Sequence, residues 1–405
     1  MTDYLDLEAA LATSFVHPGG VRLCLVTPGF SASESDWCIP ALHHLVRRLS
    51  EEHEVTVLAL RHPPRREPFA FFGARVLTLG AGRRTGVARV AMLARALAAV
   101  RRVHRRRPLD AVHGLWADEA GLVAAASGRL LGVRSVVSVM GGELVGLPDI
   151  GYGVQLGRTG RGLVRRSLAT ADAVTVGSRA LAGPARALRA GGPVDLAPLG
   201  VDTVMFRPDG ERADLEGGPC LLQVASLTPV KGQALLLDAV ARVVARHPSA
   251  HLHLVGDGPL AGDLADRAAE LGIAGRVRFH RHVAHHRLPP LYRAADLHVV
   301  SSRFESQGMA VLEAAACGTA SVGTAVGVLP ELEEHGAALT VTPNDPEALA
   351  AALEILVSER DRVRTMGDRA AELVRRELDL EGCVRRLVEL YLGGDPGRSR
   401  PPSGC

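Results

Sequence analysis

Short runs rich in β-branched residues and leucine alternate along the chain with longer Ala/Leu/Arg stretches of helical spacing. In the first half, VRLCLVT (21–27), EVTVLAL (54–60), ARVLTL (74–79), LDAVHG (109–114), RSVVSV (134–139) and DAVTVG (172–177) read as strands, with helices near 37–50, 86–105, 118–131, 155–170 and 178–190. A Pro/Gly-rich passage at 196–218 interrupts the alternation, which then restarts. Strands are predicted at PCLLQVA (219–225), AHLHLVG (250–256), RVRFHR (276–281), DLHVVS (296–301), TASVGT (319–324) and AALTVT (337–342). Strand followed by covering helix, repeated, is the pattern of a parallel sheet. Two such series predict an α/β chain of two tandem Rossmann-like doubly wound domains with a hinge near 198–210. If the two sheets face each other, a ligand site falls in the cleft at the C-terminal ends of the strands.

The expected boundaries are an N-terminal extension over 1–20, a first domain over 21–198 and a second over 199–377. The stretch 359–392 reads as helical with no strand after it, and its last part, 378–392, is expected to pack back on the first domain. The tail GGDPGRSRPPSGC (393–405) has the composition of a disordered segment.

Composition narrows the function classes. The 405 residues are 47% hydrophobic and 22% charged, with no apolar run of the ~18 residues that a membrane span needs. Aromatics at 3% are too few for stacking platforms, so no nucleic-acid partner is expected. The six cysteines form no Cys-x-x-Cys pair and no zinc-spaced set with histidine, which points to reduced thiols and a cytoplasmic location. Acids stand in MTDYLDLEAALATSF where a secretory signal carries basic residues, so no export is expected.

Charge is divided unevenly. Residues 1–200 hold 25 Arg against 16 Asp and Glu, a balance of +9, whereas residues 201–405 hold 22 Lys and Arg against 28 acids, a balance of −6. Runs such as RRVHRRR (101–107) in the basic half are either a solvated helix end or a contact with an anionic surface, such as peripheral contact with an anionic membrane. Of the 47 basic residues only Lys231 is lysine. A lone ammonium in an arginine-rich chain marks a place where a compact point charge is needed.

Four loops after second-half strands carry the candidate chemistry. In ASLTPVKGQ (225–233), Lys231 opens a helix whose free N–H groups favour an anion, so it reads as a phosphate contact. LVGDGPLAG (254–262) places Gly256, Gly258 and Ala261 in a G-x-G-x-x-A pattern, but basic residues follow the next strand where a ribose-binding acid would stand, which argues against a nicotinamide cofactor. In SSRFESQGMAVLEAAACG (301–318), Glu305 lies on the entering loop and Glu313 two turns into the helix. Both carboxylates can then address one pocket, and Gly308 lets the backbone come close to a ligand. Such a set suits a ligand with both hydroxyls and phosphates. Gly323 to Gly327 form a further glycine-bearing loop, either lining the same pocket or making an ordinary turn.

These residues resemble the retaining nucleotide-sugar glycosyltransferases of GT-B architecture, the family-four group also known as glycosyl transferases group 1. PLGVDTVMFRP (198–208) resembles the interdomain segment, SLTPVKG the phosphate-binding lysine loop, VGDGPL the glycine turn and FES-x-GM-x-VLEA-x-ACG the Glu-(seven residues)-Glu signature. The resemblance implies a nucleoside-diphosphate sugar as donor. Lys231 would contact its diphosphate, Glu305 its sugar, Gly308, Met309 and Ala310 sugar and phosphate through backbone N–H, and Glu313 the ribose. Ser226 and Gly256 belong to the same implied donor site, Ser226 standing where the family often has a second basic residue, Arg. VHGLWADEAG (112–121) and VVSVMGGELV (136–145) resemble acceptor-side loops, which implies acceptor-side positions at His113, Met140, Gly141, Gly142 and Glu143. Met140 stands where the family often has a histidine, for which His113 is a substitute candidate. The implied acceptor is a glycan or a lipid-linked glycan. No cofactor and no metal are expected, since no Asp-x-Asp pair follows a strand and Asp379-Leu-Glu381 falls in helical sequence. The alternative is a non-catalytic nucleotide-sugar-binding protein of the same fold.

Overall fold

The computed structural model describes residues 20–31, 33, 39–64 and 67–394. The expectations for the N-terminal extension and for the tail beyond Gly394 lie outside the described residues. The chain divides into two units, the first comprising residues up to Gly177, Leu181–Gly200 and the chain from Leu380 on, the second Ser178–Ala180 and Val201–Asp379.

The first unit is built on an eight-stranded sheet. Its strands are β1 (Arg22–Gly29), β2 (Glu54–His62), β3 (Phe69–Phe71), β4 (Ala74–Thr78), β5 (Ala111–Leu115), β6 (Arg134–Val139), β7 (Ala173–Val176) and β8 (Asp195–Leu196), in the order β3-β4-β2-β1-β5-β6-β7-β8. All pairings are parallel except the edge hairpin β3/β4. Every strand expected here is present; the two that the hydrophobic pattern missed, β3 and β8, are edge strands of three and two residues. The covering helices are α1 (Pro40–Glu52), α2 (Gly86–Arg106), α3 (Glu119–Leu131), α4 (Arg158–Thr170) and α5 (Ala182–Leu188). Helix α3 shows how local chemistry sets the ends. Asp118 accepts from the Ala120 N–H at its start, and Gly132, at φ 69°, turns the chain away at its end.

The second unit holds six strands, β9 (Cys220–Val224), β10 (His251–Val255), β11 (Val277–Phe279), β12 (Leu297–Val300), β13 (Ser321–Thr324) and β14 (Ala338–Val341), all parallel in the order β11-β10-β9-β12-β13-β14. Its helices are α6 (Gln233–Arg246), α7 (Ala261–Glu270), α8 (Pro289–Ala294), α9 (Met309–Ala316), α10 (Leu329–Glu334), α11 (Pro346–Ser358) and α12 (Arg360–Glu377). Apolar side chains fill both faces of the sheet: Leu221, Leu252 and Leu254 pack under α6 and α11, while Leu222, Val255 and Val300 pack under α9 and α12. The strands are therefore buried on both sides, as parallel strands under helices must be.

From β9 the chain builds outward through β10 and β11, then returns to place β12 on the other side of β9. That reversal leaves a crevice at the carboxyl ends of β9 and β12, where the loops 225–232 and 301–308 emerge.

The long terminal helix expected over 359–392 is in fact two. Helix α12 stops at Glu377 and α13 (Leu380–Tyr391) begins after a break at which Val201 and Asp379 form a parallel β-bridge. Asp379 thus lies outside helix, accepting from the Thr203 hydroxyl at 2.6 Å, while Glu381 is held by Arg48. Helix α13 belongs to the first unit, where it packs on α1 and β6.

Candidate functional site

At the crevice of the second unit, Lys231 and Glu305 come together. Lys231 ends a single 3-10 turn, Pro229–Lys231, just after β9, and its Nζ donates to Glu305 Oε1 at 2.6 Å. Ser302 Oγ donates to the same carboxylate oxygen at 2.6 Å. Both partners stay partly open to solvent, with side-chain exposures of 23% and 18%, so a ligand can reach either. The two loops are locked by a further chain of bonds: Gln223 Nε2 donates to Ser301 Oγ, which donates to the Lys231 carbonyl, each at 2.8 Å. Gly232, at φ 66°, makes the turn from this loop into α6, and a Cβ there would collide with the Ser301 carbonyl. Only glycine lets the two loops approach this closely.

Helix α9 starts on the same edge. Gly308, in the left-handed region at φ 90°, caps it, and Met309 and Ala310 form its first turn, where N–H groups have no acceptor inside the helix. Glu305, Lys231 and this helix start therefore combine one carboxylate, one ammonium and a dipole positive end, the set needed to hold hydroxyls beside phosphates.

Glu313 has a different environment from Glu305. It is buried, with Oε1 2.8 Å from His285 Nε2 and Oε2 accepting from the Tyr292 hydroxyl at 2.8 Å. Burial, and then the neighbouring Glu313 carboxylate, push the Tyr292 hydroxyl well above its ordinary pKa, so it remains a donor. Phe206 packs on both rings. Sequence reading missed these partners, although a glutamate in the apolar helix MAVLEAAA requires buried donors from somewhere.

Ser226 and Gly256 sit beside the lysine loop. The Ser226 hydroxyl is 3.5 Å from that of Thr228, and its carbonyl accepts from Gln233 Nε2 at 3.0 Å. Gly256, at φ 140°, presses against Ala225, whose carbonyl a Cβ would strike. Leu227 N–H donates to the Asp257 carbonyl at 2.9 Å. The glycines of the G-x-G-x-x-A pattern thus serve the close packing of two loops.

The positions expected on the acceptor side lie in the first unit, and two of them, His113 and Glu143, are engaged in internal contacts. His113 is buried, with Nδ1 2.7 Å from the Tyr391 hydroxyl and Nε2 2.7 Å from Ser138 Oγ. Burial lowers its pKa to about 3. Both ring nitrogens are occupied in tying α13 to the sheet, which leaves His113 no nitrogen for a ligand. Glu143 is buried as well and accepts from three backbone N–H groups, those of Ala117 and Met140 at Oε1 and of Gly141 at Oε2. Burial pushes its carboxyl up to about 7 against the opposing pull of the Met140 and Ala117 N–H groups. Glu143 thereby joins the loop after β5 to the loop after β6, and Gly142 starts a 3-10 turn under the ring of Tyr152.

Two units in tandem, each built on a largely parallel sheet covered by helices, match the architecture of the GT-B glycosyltransferases. The family model described as glycosyl transferases group 1 matches residues 210–373, and that of the glycosyl transferase 4-like domain matches residues 39–200. The GDP-mannose-dependent alpha-(1-6)-phosphatidylinositol monomannoside mannosyltransferase of Mycobacterium tuberculosis is 30% identical over 315 residues, 73% of this chain and 80% of that protein. The chain belongs to the group 1 glycosyltransferases. The D-inositol 3-phosphate glycosyltransferase of Nocardia farcinica is 36% identical over 192 residues, 44% of this chain, and the match spans less than half of that relative's length, 42%. Among solved structures, sucrose-phosphate synthase from Thermosynechococcus elongatus shares the fold with a TM-score of 0.75 at 22% identity, over 91% of this chain and 98% of that one.

Proposed function

We propose that the chain transfers a sugar from a nucleoside-diphosphate sugar to an acceptor hydroxyl, with retention of anomeric configuration, in the synthesis of a glycan or glycolipid. The observation that carries this reading is the Lys231–Glu305 pair at the reversal of the second sheet, beside the start of α9. In the transfer, the bond from the sugar's anomeric carbon to the diphosphate oxygen breaks, and a bond to the acceptor oxygen forms on the same face. The acceptor proton passes to the leaving phosphate oxygen. The charge that develops on the diphosphate meets Lys231 and the N–H groups of Met309 and Ala310, which is electrostatic stabilisation where it is needed. Glu305 accepts from the sugar hydroxyls, and Glu313, steadied by His285 and Tyr292, is assigned to the ribose.

The names of the relatives support this reading: one depends on GDP-mannose and acts on a phosphatidylinositol monomannoside, another acts on D-inositol 3-phosphate. These names favour a glycan, polyol or lipid-linked acceptor for this chain. The reading places the work in the cytoplasm, which suits the buried thiols of Cys24, Cys220 and Cys317, none of them in a disulfide. Non-catalytic binding of a nucleotide sugar is the second reading, favoured by the neutral hydroxyl of Ser226 beside the lysine loop.

Thermal-shift titration with UDP, GDP and their sugars, followed by NMR detection of sugar released or transferred, tests both readings. Stabilisation by one nucleoside diphosphate together with turnover of its sugar supports the transferase. Stabilisation with neither transfer nor hydrolysis favours the binding protein, and no stabilisation by any of these ligands contradicts both.

A further inference from the structure

The carboxylate of Glu305 is held by one of its two oxygens. Lys231 Nζ and Ser302 Oγ each donate to Oε1 at 2.6 Å, and among the described residues no hydrogen bond falls on Oε2. An ionised carboxylate oxygen has two lone-pair sites, so these two donors fill Oε1 and leave both sites of Oε2 for a ligand. The two donors differ in kind. Lys231 brings the charge that an anion competes for, whereas Ser302 brings a neutral hydroxyl on a buried residue.

The backbone around this carboxylate is fixed from two sides. The Ser302 carbonyl, in the loop after β12, accepts from the buried hydroxyl of Thr324 at 2.6 Å, at the end of β13. On the other side Gly327, at φ 58°, packs so closely that a Cβ there would stand 2.4 Å from the Gln307 carbonyl oxygen and 3.0 Å from Glu305 Cβ. Val328 N–H donates to the same Gln307 carbonyl at 2.8 Å. The glycine-bearing loop after β13 thus supports the loop that carries Glu305. With the backbone held in this way, the orientation of the carboxylate is set by its donors, and Ser302 is the one that a bound anion does not draw away.

We infer that Ser302 is a positioning residue for sugar transfer: it keeps Oε1 of Glu305 anchored when Lys231 turns to the diphosphate, and so directs Oε2 at the sugar hydroxyls. Without that hydroxyl, a diphosphate that takes Lys231 strips Oε1 of its last donor, and the carboxylate meets the sugar unfixed. The ligand assigned to Oε2 rests on the sugar-transfer reading, whereas the anchoring of Oε1 does not.

Lys231, the one lysine of the chain, supplies the probe. Full-length protein carrying lysine isotope-labelled at Nζ gives a single side-chain ammonium signal by NMR, read without ligand and compared among the parent, Ser302→Ala, Glu305→Ala and the double variant. Ser302→Ala should shift the signal in the parent background and leave it in place in the Glu305→Ala background, because Ser302 acts on Lys231 only through that carboxylate. Calorimetry with UDP and GDP follows. Ser302→Ala should weaken binding of the diphosphate at least threefold in the parent background and less than twofold in the Glu305→Ala background, whereas a folding defect would appear in both. With the nucleotide sugar, whose hydroxyls compensate Glu305, Ser302→Ala should lower kcat at least tenfold and change KM less than threefold. An unchanged ammonium signal, an equal change in both backgrounds, or a kcat within twofold of the parent would overturn the inference. If neither nucleotide binds the parent, the sugar-transfer reading falls and the assignment of Oε2 with it, while the ligand-free signal still decides whether Ser302 anchors Oε1.

Discussion

Lys231 Nζ donates to Glu305 Oε1 at 2.6 Å across 74 residues of sequence, joining the loop after β9 to the loop after β12. Each partner keeps the other's charge in place until a ligand arrives. A diphosphate that takes Lys231 must compete with Glu305, and a sugar whose hydroxyls then donate to Glu305 compensates for that loss. With a nucleotide sugar bound as proposed, diphosphate and sugar are coupled through one ion pair.

That coupling separates Glu305 from its neighbour in function. Glu305→Ala should leave free nucleoside diphosphate bound as well as in the parent or more tightly, because Lys231 no longer has a competing carboxylate, while turnover of the nucleotide sugar falls at least tenfold. Because Glu305 is partly exposed, the unfolding free energy should change by no more than ~1 kcal/mol. Weaker diphosphate binding with turnover intact would reverse the assignment.

Glu313→Ala should behave differently in two measurements. It leaves the Tyr292 hydroxyl without its acceptor and removes the partner of His285 Nε2 in a buried site, at a cost of about 2–4 kcal/mol in urea unfolding. Free diphosphate and nucleotide sugar should both bind more weakly, by the same factor. A variant as stable as the parent would show that the contacts of Glu313 with His285 and Tyr292 do not stabilise the fold.

The latch between His113 and Tyr391 sets a pH dependence. His113, in the first unit, and His298, in the second, have pKa values lowered to about 3 by burial, below the ordinary 6.5 that they regain on unfolding. The unfolded chain therefore takes up protons first as pH falls, and stability declines from about pH 6.5 downward by roughly 1.4 kcal/mol per pH unit for each histidine. Glu143 acts in the opposite direction: its raised pKa favours the folded state at low pH, and that contribution is lost as pH rises from 4.5 to about 7. Between pH 6.5 and 5 these two histidines outweigh Glu143; His53, His253 and His280, also lowered by burial, act with them, and Asp118 and Glu331, raised by burial, act with Glu143. Urea unfolding over this range should show falling stability with acidification, and His113→Gln should reduce the slope for the first unit; an unchanged slope contradicts the latch.

Tyr391→Phe removes one partner of that latch without emptying space. It should cost about 1–2 kcal/mol and leave diphosphate affinity unchanged, since Tyr391 and Lys231 belong to different units. A loss of diphosphate affinity, read by calorimetry, would contradict the independence of Tyr391 and Lys231.

Much of this was legible before the structure. The strand runs stand out because parallel strands covered on both faces are continuously apolar, and Lys231, Glu305 and Gly308 stand out because their loops follow such runs. What the pattern concealed depends on contacts distant in sequence. His285 and Tyr292 gave no local sign of serving Glu313, 28 and 21 residues away. His113 resembled a site residue because it ends a strand, but it faces Tyr391, 278 residues on, and no periodicity reports that pairing. The break after α12 was hidden because the Arg/Glu pattern continues through Leu378 and Asp379, and the β-bridge to Val201 interrupts it only in three dimensions.

The central claim is that Lys231 is the charge on which a nucleoside diphosphate binds. Isothermal calorimetry of UDP and GDP with the parent, Lys231→Ala and Lys231→Arg tests it directly. The parent should bind one of the two nucleotides, and Lys231→Ala should lose about 1.5–3 kcal/mol of that affinity, the scale of a hydrogen bond to a charged group. Lys231→Arg should not restore it, because a planar fork does not replace a point charge in this tight loop. Equal affinity in the parent and Lys231→Ala would contradict the account.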